Sequence, residues 1–251
     1  MIKALLKSKM DRFSKQEKNI AAYLLDLKSD PRVLTSNALA EQLGMSQSTV
    51  IRFTQKLGYE SFRSFLVDLN KVYAEDQRIK ELELETSDAM KILILRYEEA
   101  IQETHILNKI EIIKQAVSMI LAADRIVVYG AANSSIFAEY LSNQLNKTGL
   151  FVQFSKGNHA TLVSVSQLGQ KGLVVLISQS GETLDTLETA KRAKEHGIPI
   201  IALTGHHPNS LQEASDLVLY SSDYAKNVMN IRISQLFLVD ILIQEITKSK
   251  E

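Results

Sequence analysis

The sequence contains no cysteine and no tryptophan, and only three prolines and ten glycines among its 251 residues. Without cysteine the chain cannot form a disulfide framework or a thiolate metal site, which is typical of a reducing compartment. No segment approaches the roughly 18 consecutive apolar residues of a membrane span. The first residues, MIKALLKSKMDRF, are too charged for a secretion signal. We therefore expect a cytoplasmic protein.

Net charge is absent as well, but the charged residues are distributed unevenly. Residues 1–80 contain 14 Lys and Arg against 9 Asp and Glu, whereas residues 81–251 contain 15 against 20. A basic first part joined to an acidic second part indicates two functions, with a polyanion as the partner of the first. With 45% hydrophobic residues, the chain can bury a normal core.

The first part of the chain has the periodicity of a helical domain. Ser14 and Glu17 have the spacing of a capping box, and an apolar stripe with helical period follows them. Residues 36–57 are predicted to form two short helices separated by Gly44. A further helix is predicted over Phe62–Tyr73, with apolar residues on one face.

Charged residues dominate after this domain, and then the hydrophobic period changes. We expect a helical domain at 1–76, a linker at 77–88 and a second domain at 89–251, which begins with a helical run that breaks near Asn108. Five β-rich runs follow: Arg125–Tyr129, Phe151–Phe154, Leu173–Ile177, Ile198–Leu203 and Asp216–Tyr220. Helices are predicted at 135–147, 158–167, 184–196, 209–214 and about 226–247. Strands that alternate with helices predict an α/β domain with a five-stranded parallel sheet flanked by helices.

Residues 36–57, SNALAEQLGMSQSTVIRFTQKL, have the spacing of a helix-turn-helix. Ala40 is small where the two helices would cross, Gly44 suits the turn, and Val50 is an inward apolar position. Ser46 is placed to cap the second helix. The candidate DNA-binding residues face outward and are Gln47, Ser48, Thr49, Arg52, Lys56 and Arg63. The first four can read base edges and the last two suit phosphates, although a plain helical hairpin with a solvated polar face has the same pattern.

Two loops of the second domain have the composition of an anion site, GAANSS (130–135) and SQSGET (178–183). Each joins a predicted strand to a predicted helix, where backbone N–H groups and the positive end of the helix dipole point outward. Ordinary capping explains one such loop, but two at the carboxyl ends of parallel strands favour a ligand site. Neither loop carries a P-loop or G-x-G-x-x-G motif, so a nucleotide site is not indicated.

The stretches SKQEKNIAA (14–22), LAEQLG (39–44) and SQSTVIRFTQKLGYESF (46–62) resemble the RpiR family of regulators, and the resemblance covers nearly the whole chain. The loop at 178–183 is similar to the S-x-S-G-x-T signature of SIS domains. The resemblance implies that Ser178, Ser180 and Thr183 hold the phosphate of a sugar phosphate, with Ser134 helping from the first loop. Gly181 permits close approach of the backbone to this ligand. The first loop departs from the family's G-x-G-x-S, because Ala132 replaces the second Gly. Asn133 could instead contact a sugar hydroxyl or an acetamido group.

These observations predict a DNA-binding transcriptional regulator of carbohydrate metabolism, controlled by a phosphorylated sugar or amino sugar. The resemblance implies that the regulator is a repressor. Because a short recognition helix reads few bases, we expect a homodimer or higher homo-oligomer. No cofactor is expected. The alternative is a sugar-phosphate isomerase with an accessory helical domain. Such an enzyme needs a base, for which Glu182 is a candidate, but no convincing Glu–His pair lies beside the Ser-rich loops. His206 and His207 lack further ligands at the spacing of a metal site.

Overall fold

The computed structural model describes Ile2, Leu5, Leu6 and residues 9–27, 30–85, 89–222 and 232–250. The chain divides into two compact units, Met1–Glu98 and Glu99–Glu251. The first unit is helical and the second is α/β, so the predicted fold class is confirmed. Among the helices of the described residues, none is long and apolar enough to cross a membrane.

The first unit begins with the predicted capped helix. Its described helices are α1 (Lys15–Leu25), α2 (Ser36–Gln42), α3 (Gln47–Lys56), α4 (Phe62–Glu85) and the start of α5 (Ala89–Leu107). At α1 the Ser14 hydroxyl accepts from the Glu17 N–H, and the Glu17 carboxylate accepts from the Ser14 N–H at 2.6 Å. This reciprocal pair is the capping box that the spacing predicts, and it satisfies two backbone donors at the helix start.

The turn between α2 and α3 is built as the sequence predicts. Gly44 adopts φ +62°, a conformation that favours glycine, and the Met45 N–H donates to the Ala40 carbonyl at 2.9 Å. Ser46 then caps α3, since its hydroxyl accepts from the Thr49 N–H at 3.3 Å. Three inward side chains of the second helix and its end are buried, namely Val50, Phe53 and Leu57. The core of this unit therefore holds α3 with its polar face outward.

The segment predicted as a linker continues helix α4. The helix extends to Glu85, and residues 86–88 lie outside the described residues. Residues 78–85, RIKELELE, are mostly strong helix formers, so a charge-rich composition does not interrupt the helix. The boundaries at residues 76 and 88 stay predictions.

The second unit is built on a five-stranded sheet. Its strands are β1 (Arg125–Tyr129), β2 (Val152–Phe154), β3 (Gly172–Ser178), β4 (Ile200–Gly205) and β5 (Leu217–Ser221). They lie in the order β2-β1-β3-β4-β5, and every pair is parallel. Each strand is within two residues of its predicted bounds at either end. Because β1 and β3 are neighbours, the loops that follow them emerge side by side at the carboxyl edge.

Helices cover both faces of the sheet. One face carries α6 (Ile110–Ala122), α7 (Ser134–Lys147) and α11 (Ile233–Lys248), and the other carries α8 (Asn158–Ser166), α9 (Leu184–Glu195) and the short α10 (Ser210–Glu213). Successive side chains of β3 point to opposite faces of the sheet. Val175 and Ile177 pack in the core under the first helix layer, and Val174 and Leu176 pack in the core under the second. The predicted start of the last helix lies in residues 223–231, outside the described residues.

The predicted break near Asn108 is confirmed, and it protects a sheet edge. The Asn108 side-chain amide donates to the Tyr220 carbonyl at 2.7 Å and accepts from the Tyr220 N–H at 2.8 Å. Tyr220 lies on the edge strand β5. The side chain therefore takes the place of one strand partner, which limits the exposure of an unpaired edge.

Candidate functional site

The start of α3 presents a polar, hydrogen-bonded surface. The Ser46 hydroxyl lies 2.9 Å from the hydroxyls of both Ser48 and Thr49. The Gln47 amide donates to the Ser36 hydroxyl at 2.8 Å, which ties the start of α3 to the start of α2. Gln47 and Ser48 are exposed and Thr49 is half-buried. The structure therefore brings these three predicted residues together on one face.

Two exposed arginines of the same unit supply positive charge. Arg52 is exposed on α3, and its Nε donates to the Ser48 carbonyl at 3.3 Å, one turn back. Arg63 is exposed in the first turn of α4. Among the described residues neither guanidinium has a carboxylate partner, so both remain available to phosphate or base-edge acceptors.

Lys56 is engaged inside the unit instead. Its ammonium lies 2.8 Å from the Glu17 carboxylate and 3.1 Å from the Arg12 carbonyl, and 5.7 Å from the centre of the Phe13 ring. These contacts join the end of α3 to the start of α1. The role of Lys56 as a phosphate contact stays a prediction, since the structure gives its ammonium another set of partners.

The second loop places three hydroxyls together after β3. The Ser178 hydroxyl accepts from the Gly181 N–H at 3.2 Å and lies 3.2 Å from the Thr183 hydroxyl. The Ser180 hydroxyl lies 3.4 Å from the same Thr183 oxygen and accepts from the Glu182 N–H at 3.2 Å. Ser178 is buried, Thr183 is half-buried and Ser180 is exposed, so the cluster extends from the sheet edge to solvent.

The start of α9 adds backbone donors to these hydroxyls. Thr183 is the capping residue, but its side chain makes no capping hydrogen bond. Within the described residues the N–H groups of Thr183, Leu184 and Asp185 have no protein acceptor. Three free amides at the positive end of a helix, beside three hydroxyls, form a surface suited to a phosphate dianion.

Glycine is required at position 181 because the side chain of Asn209 occupies the space of a Cβ. It adopts φ +65°, and a Cβ there would lie 2.0 Å from Oδ1 of Asn209. The Leu211 N–H also donates to the Gly181 carbonyl at 3.1 Å. The absence of a side chain at Gly181 therefore lets the loop pack against the start of α10. Its direct contact with a ligand stays a prediction.

The first loop is a tight turn that opens α7. Ala132 adopts φ +48°, the left-handed conformation that a glycine would favour, and this is the position where the sequence departs from G-x-G-x-S. Asn133 precedes α7 without a side-chain capping bond. Ser134 is only 7% exposed, and no described residue hydrogen-bonds to its hydroxyl. Asn133 and Ser134 therefore keep polar groups available for a ligand.

A close approach of backbones joins the two loops. A Cβ on Gly130 would lie 2.7 Å from the Ser134 carbonyl oxygen and 3.0 Å from the Ile177 carbonyl oxygen. Ile177 directly precedes Ser178. The first turn of α7 and the end of β3 are therefore packed together, which brings Ser134 close to the hydroxyl cluster of the second loop.

The candidates for catalysis and for a metal have structural partners. The Glu182 carboxylate accepts from the Ser210 N–H at 2.7 Å and from the Ser210 hydroxyl at 2.9 Å. These hydrogen bonds lower the pKa of Glu182, so it caps α10 as a carboxylate. A His207 ring nitrogen lies 2.9 Å from the Ser180 carbonyl, and the His206 ring packs on Tyr220. Among the described residues, no group of three or more His, Asp or Glu could hold a metal ion.

Two buried polar residues near these loops were not predicted from the sequence. Asn209 is 6% exposed, and it caps α10 and packs on the second loop. Gln235 is fully buried in the first turn of α11. The only sequence signal for Gln235 is a polar residue at an inward position of an otherwise apolar helix face.

Comparison with known proteins identifies both parts of the chain. The model of the SIS domain family matches residues 119–244, and the model of the helix-turn-helix domain of the rpiR family matches residues 1–76. The chain belongs to the rpiR family of SIS-domain regulators. It is thus a DNA-binding transcriptional regulator.

Individual relatives agree with this assignment over most of their length. An uncharacterized HTH-type transcriptional regulator of Thermotoga maritima is 29% identical over 254 residues, which cover 94% of this regulator and 88% of the relative. The structure of the Vibrio vulnificus NanR protein complexed with ManNAc-6P is 25% identical and has a TM-score of 0.61, and the match covers 98% of this chain and 92% of NanR. The sugar isomerase domain of an RpiR transcription factor from Sphaerobacter thermophilus shares the fold of the second unit, with 23% identity, a TM-score of 0.60 and coverage of 66% and 92%.

Proposed function

We propose that this regulator binds operator DNA through the exposed face of α3 and binds a sugar phosphate at the two loops of its SIS domain. The observation that carries the effector site is the hydroxyl cluster of Ser178, Ser180 and Thr183, which lies beside three backbone amides that have no acceptor among the described residues. The complex of NanR with ManNAc-6P supports a sugar phosphate, and an amino-sugar phosphate in particular, as the class of effector.

The DNA-binding role assigns different tasks to the polar residues. Gln47, Ser48 and Thr49 lie at the start of α3, the end of a recognition helix that contacts base edges in helix-turn-helix proteins. Arg52, one turn later, reaches a guanine edge or a phosphate, and Arg63 contacts phosphate. A short helix reads few bases, so we propose that a homodimer binds two half-sites.

Control by the effector follows from linkage between the two sites. A sugar phosphate that binds one conformation more tightly shifts the population toward it, and DNA then binds with altered affinity. We propose that the regulator is a cytoplasmic repressor of genes for carbohydrate metabolism that the sugar phosphate releases from DNA.

A paired binding measurement tests this function. Calorimetry of the full chain is carried out with ManNAc-6P, N-acetylglucosamine 6-phosphate, glucosamine 6-phosphate and glucose 6-phosphate, each beside its unphosphorylated sugar. We expect at least one phosphorylated form to bind, and its unphosphorylated form to bind at least tenfold more weakly, because the dianion gains several charge-assisted hydrogen bonds. The same compound should change the mobility shift of DNA from upstream of the regulator's own gene. If no phosphorylated sugar bound, the proposed effector class would be wrong.

A further inference from the structure

Gln235 has an environment that the fold does not explain. Its side chain is 0% exposed, and within the described residues neither its Nε2 nor its Oε1 has a hydrogen-bond partner. A primary amide carries two donors and an acceptor, and leaving all of them unpaired in the interior is unfavourable. The large majority of buried side-chain amides in native proteins have partners, which points to a partner that the described residues do not supply.

Hydrogen bonds between α7 and α11 define where Gln235 lies along the sheet. The Tyr140 hydroxyl donates to the Asp240 carboxylate at 3.1 Å, and the Lys250 ammonium donates to the Thr148 carbonyl at 2.5 Å. From the first pair to the second, the residue number rises on both sides, from 140 to 148 and from 240 to 250. The two helices therefore run in the same direction. Gln235 precedes Asp240 by five residues, about 7.5 Å of helix. It therefore lies level with the first turn of α7, at the carboxyl edge.

Gln235 also faces the same interior as Ser134. Gln235 lies one helical turn before Leu238, and Ser134 lies one turn before Phe137, so each polar residue continues a buried stripe. Leu238 and Phe137 belong to one apolar cluster, which also contains Ile177 at the end of β3. The two polar side chains therefore lie above this shared core, where the phosphate-binding loops emerge.

We propose that the carboxamide of Gln235 completes the effector pocket and binds the neutral part of the sugar phosphate, an inference that rests on the function proposed above. The amide N–H groups donate to a sugar oxygen, and the amide oxygen accepts from a hydroxyl or an acetamido N–H. Because the group is uncharged, it contributes little to attraction of the phosphate. It distinguishes one sugar from another, since a ligand that leaves the amide unpaired loses affinity.

The substitution Gln235→Met tests this role, because Met has a similar length and removes only the hydrogen-bonding groups. Gln244→Met is the matched control, since Gln244 is exposed on the same helix. Calorimetry of the full-length variants uses the four sugar phosphates named above and inorganic phosphate. We expect Gln235→Met to weaken sugar-phosphate binding about tenfold or more, and to leave inorganic phosphate binding unchanged. The ligand-free variant should also melt about 2–4 °C higher, because an unpaired buried amide is removed.

The outcomes separate this role from the proposed function. If the wild type binds a sugar phosphate and Gln235→Met binds it equally well, the role of Gln235 is wrong and the effector site stands. If the wild type binds none of the sugar phosphates, the proposed function fails and this inference fails with it. A lower melting temperature of Gln235→Met, or equal loss in Gln244→Met, would also contradict the role. A larger loss for N-acetylated sugars assigns the amide to the acetamido group, and equal losses assign it to hydroxyls.

Discussion

The substitution Ser180→Ala tests the phosphate site with little risk to the fold. Ser180 is exposed, and among the described residues its hydroxyl hydrogen-bonds only within the second loop, to the Glu182 N–H at 3.2 Å and the Thr183 hydroxyl at 3.4 Å. Removing this oxygen leaves the buried Ser178 hydroxyl and the Gly181 amide bonded to each other. The loop should therefore keep its conformation while one donor to the ligand is lost.

The magnitude follows from the charge of the phosphate. A hydrogen bond to a charged group contributes about 1.5–3 kcal/mol, so Ser180→Ala should weaken the bound sugar phosphate by about 10- to 150-fold. The unphosphorylated sugar should bind weakly to both proteins and differ little between them. Calorimetry with both sugars on both proteins measures this difference. Ser249→Ala is the control, because Ser249 follows the last helix and, within the part of the chain that the structure describes, its hydroxyl donates only to the Glu245 carbonyl.

Two results would refute the reasoning. If Ser180→Ala weakened phosphorylated and unphosphorylated sugars by the same factor, Ser180 would not be a phosphate ligand. If it abolished DNA binding in the absence of any sugar, the loop would have a structural role that the hydrogen bonds described above do not show.

Three further substitutions test other parts of the structure. Arg52→Ala should cost about 1–3 kcal/mol of specific DNA binding without unfolding the protein, and unchanged operator affinity in a mobility shift would contradict its placement. Ala132→Gly should raise the melting temperature by about 1–4 °C, because the left-handed backbone of Ala132 carries strain of about 1–2 kcal/mol, more than the entropic cost of glycine. A lower melting temperature would show that the backbone at Ala132 is not strained. Gly181→Ala should lower the melting temperature and weaken sugar-phosphate binding, because its Cβ would lie 2.0 Å from the Asn209 side chain. Gly197→Ala is the control, because Gly197 has the same φ of +65° but a Cβ there would meet no atom within 4 Å. It therefore measures the backbone strain alone, and its effect on the melting temperature should be smaller.

Local pattern was sufficient to predict most elements of both units. The strand RIVVY has the bounds that its β-branched run predicts, and Ser14 with Glu17 forms the capping box that their spacing predicts. Gly44 and Ser46 were predictable for the same reason, since a turn and a cap depend on neighbours within a few residues. Charge-rich residues beyond 76 were less informative, because strong helix formers continue a helix whether or not it is solvated.

The sequence by itself determined the two-part organisation, the helix-turn-helix, the alternation of strands and helices that makes a parallel sheet, and the two Ser-rich loops. Each of these features depends on periodicity or on short spacings. Tertiary structure alone decided that Lys56 pairs with Glu17, that Gly181 makes room for Asn209, and that Gln235 is buried with no hydrogen-bond partner among the described residues. The physical reason is that periodicity tells which side of a helix faces inward, but the residue that meets it there comes from a distant part of the chain. Hydrogen-bond partners, and the absence of one among the described residues, follow only from how the helices pack on the sheet.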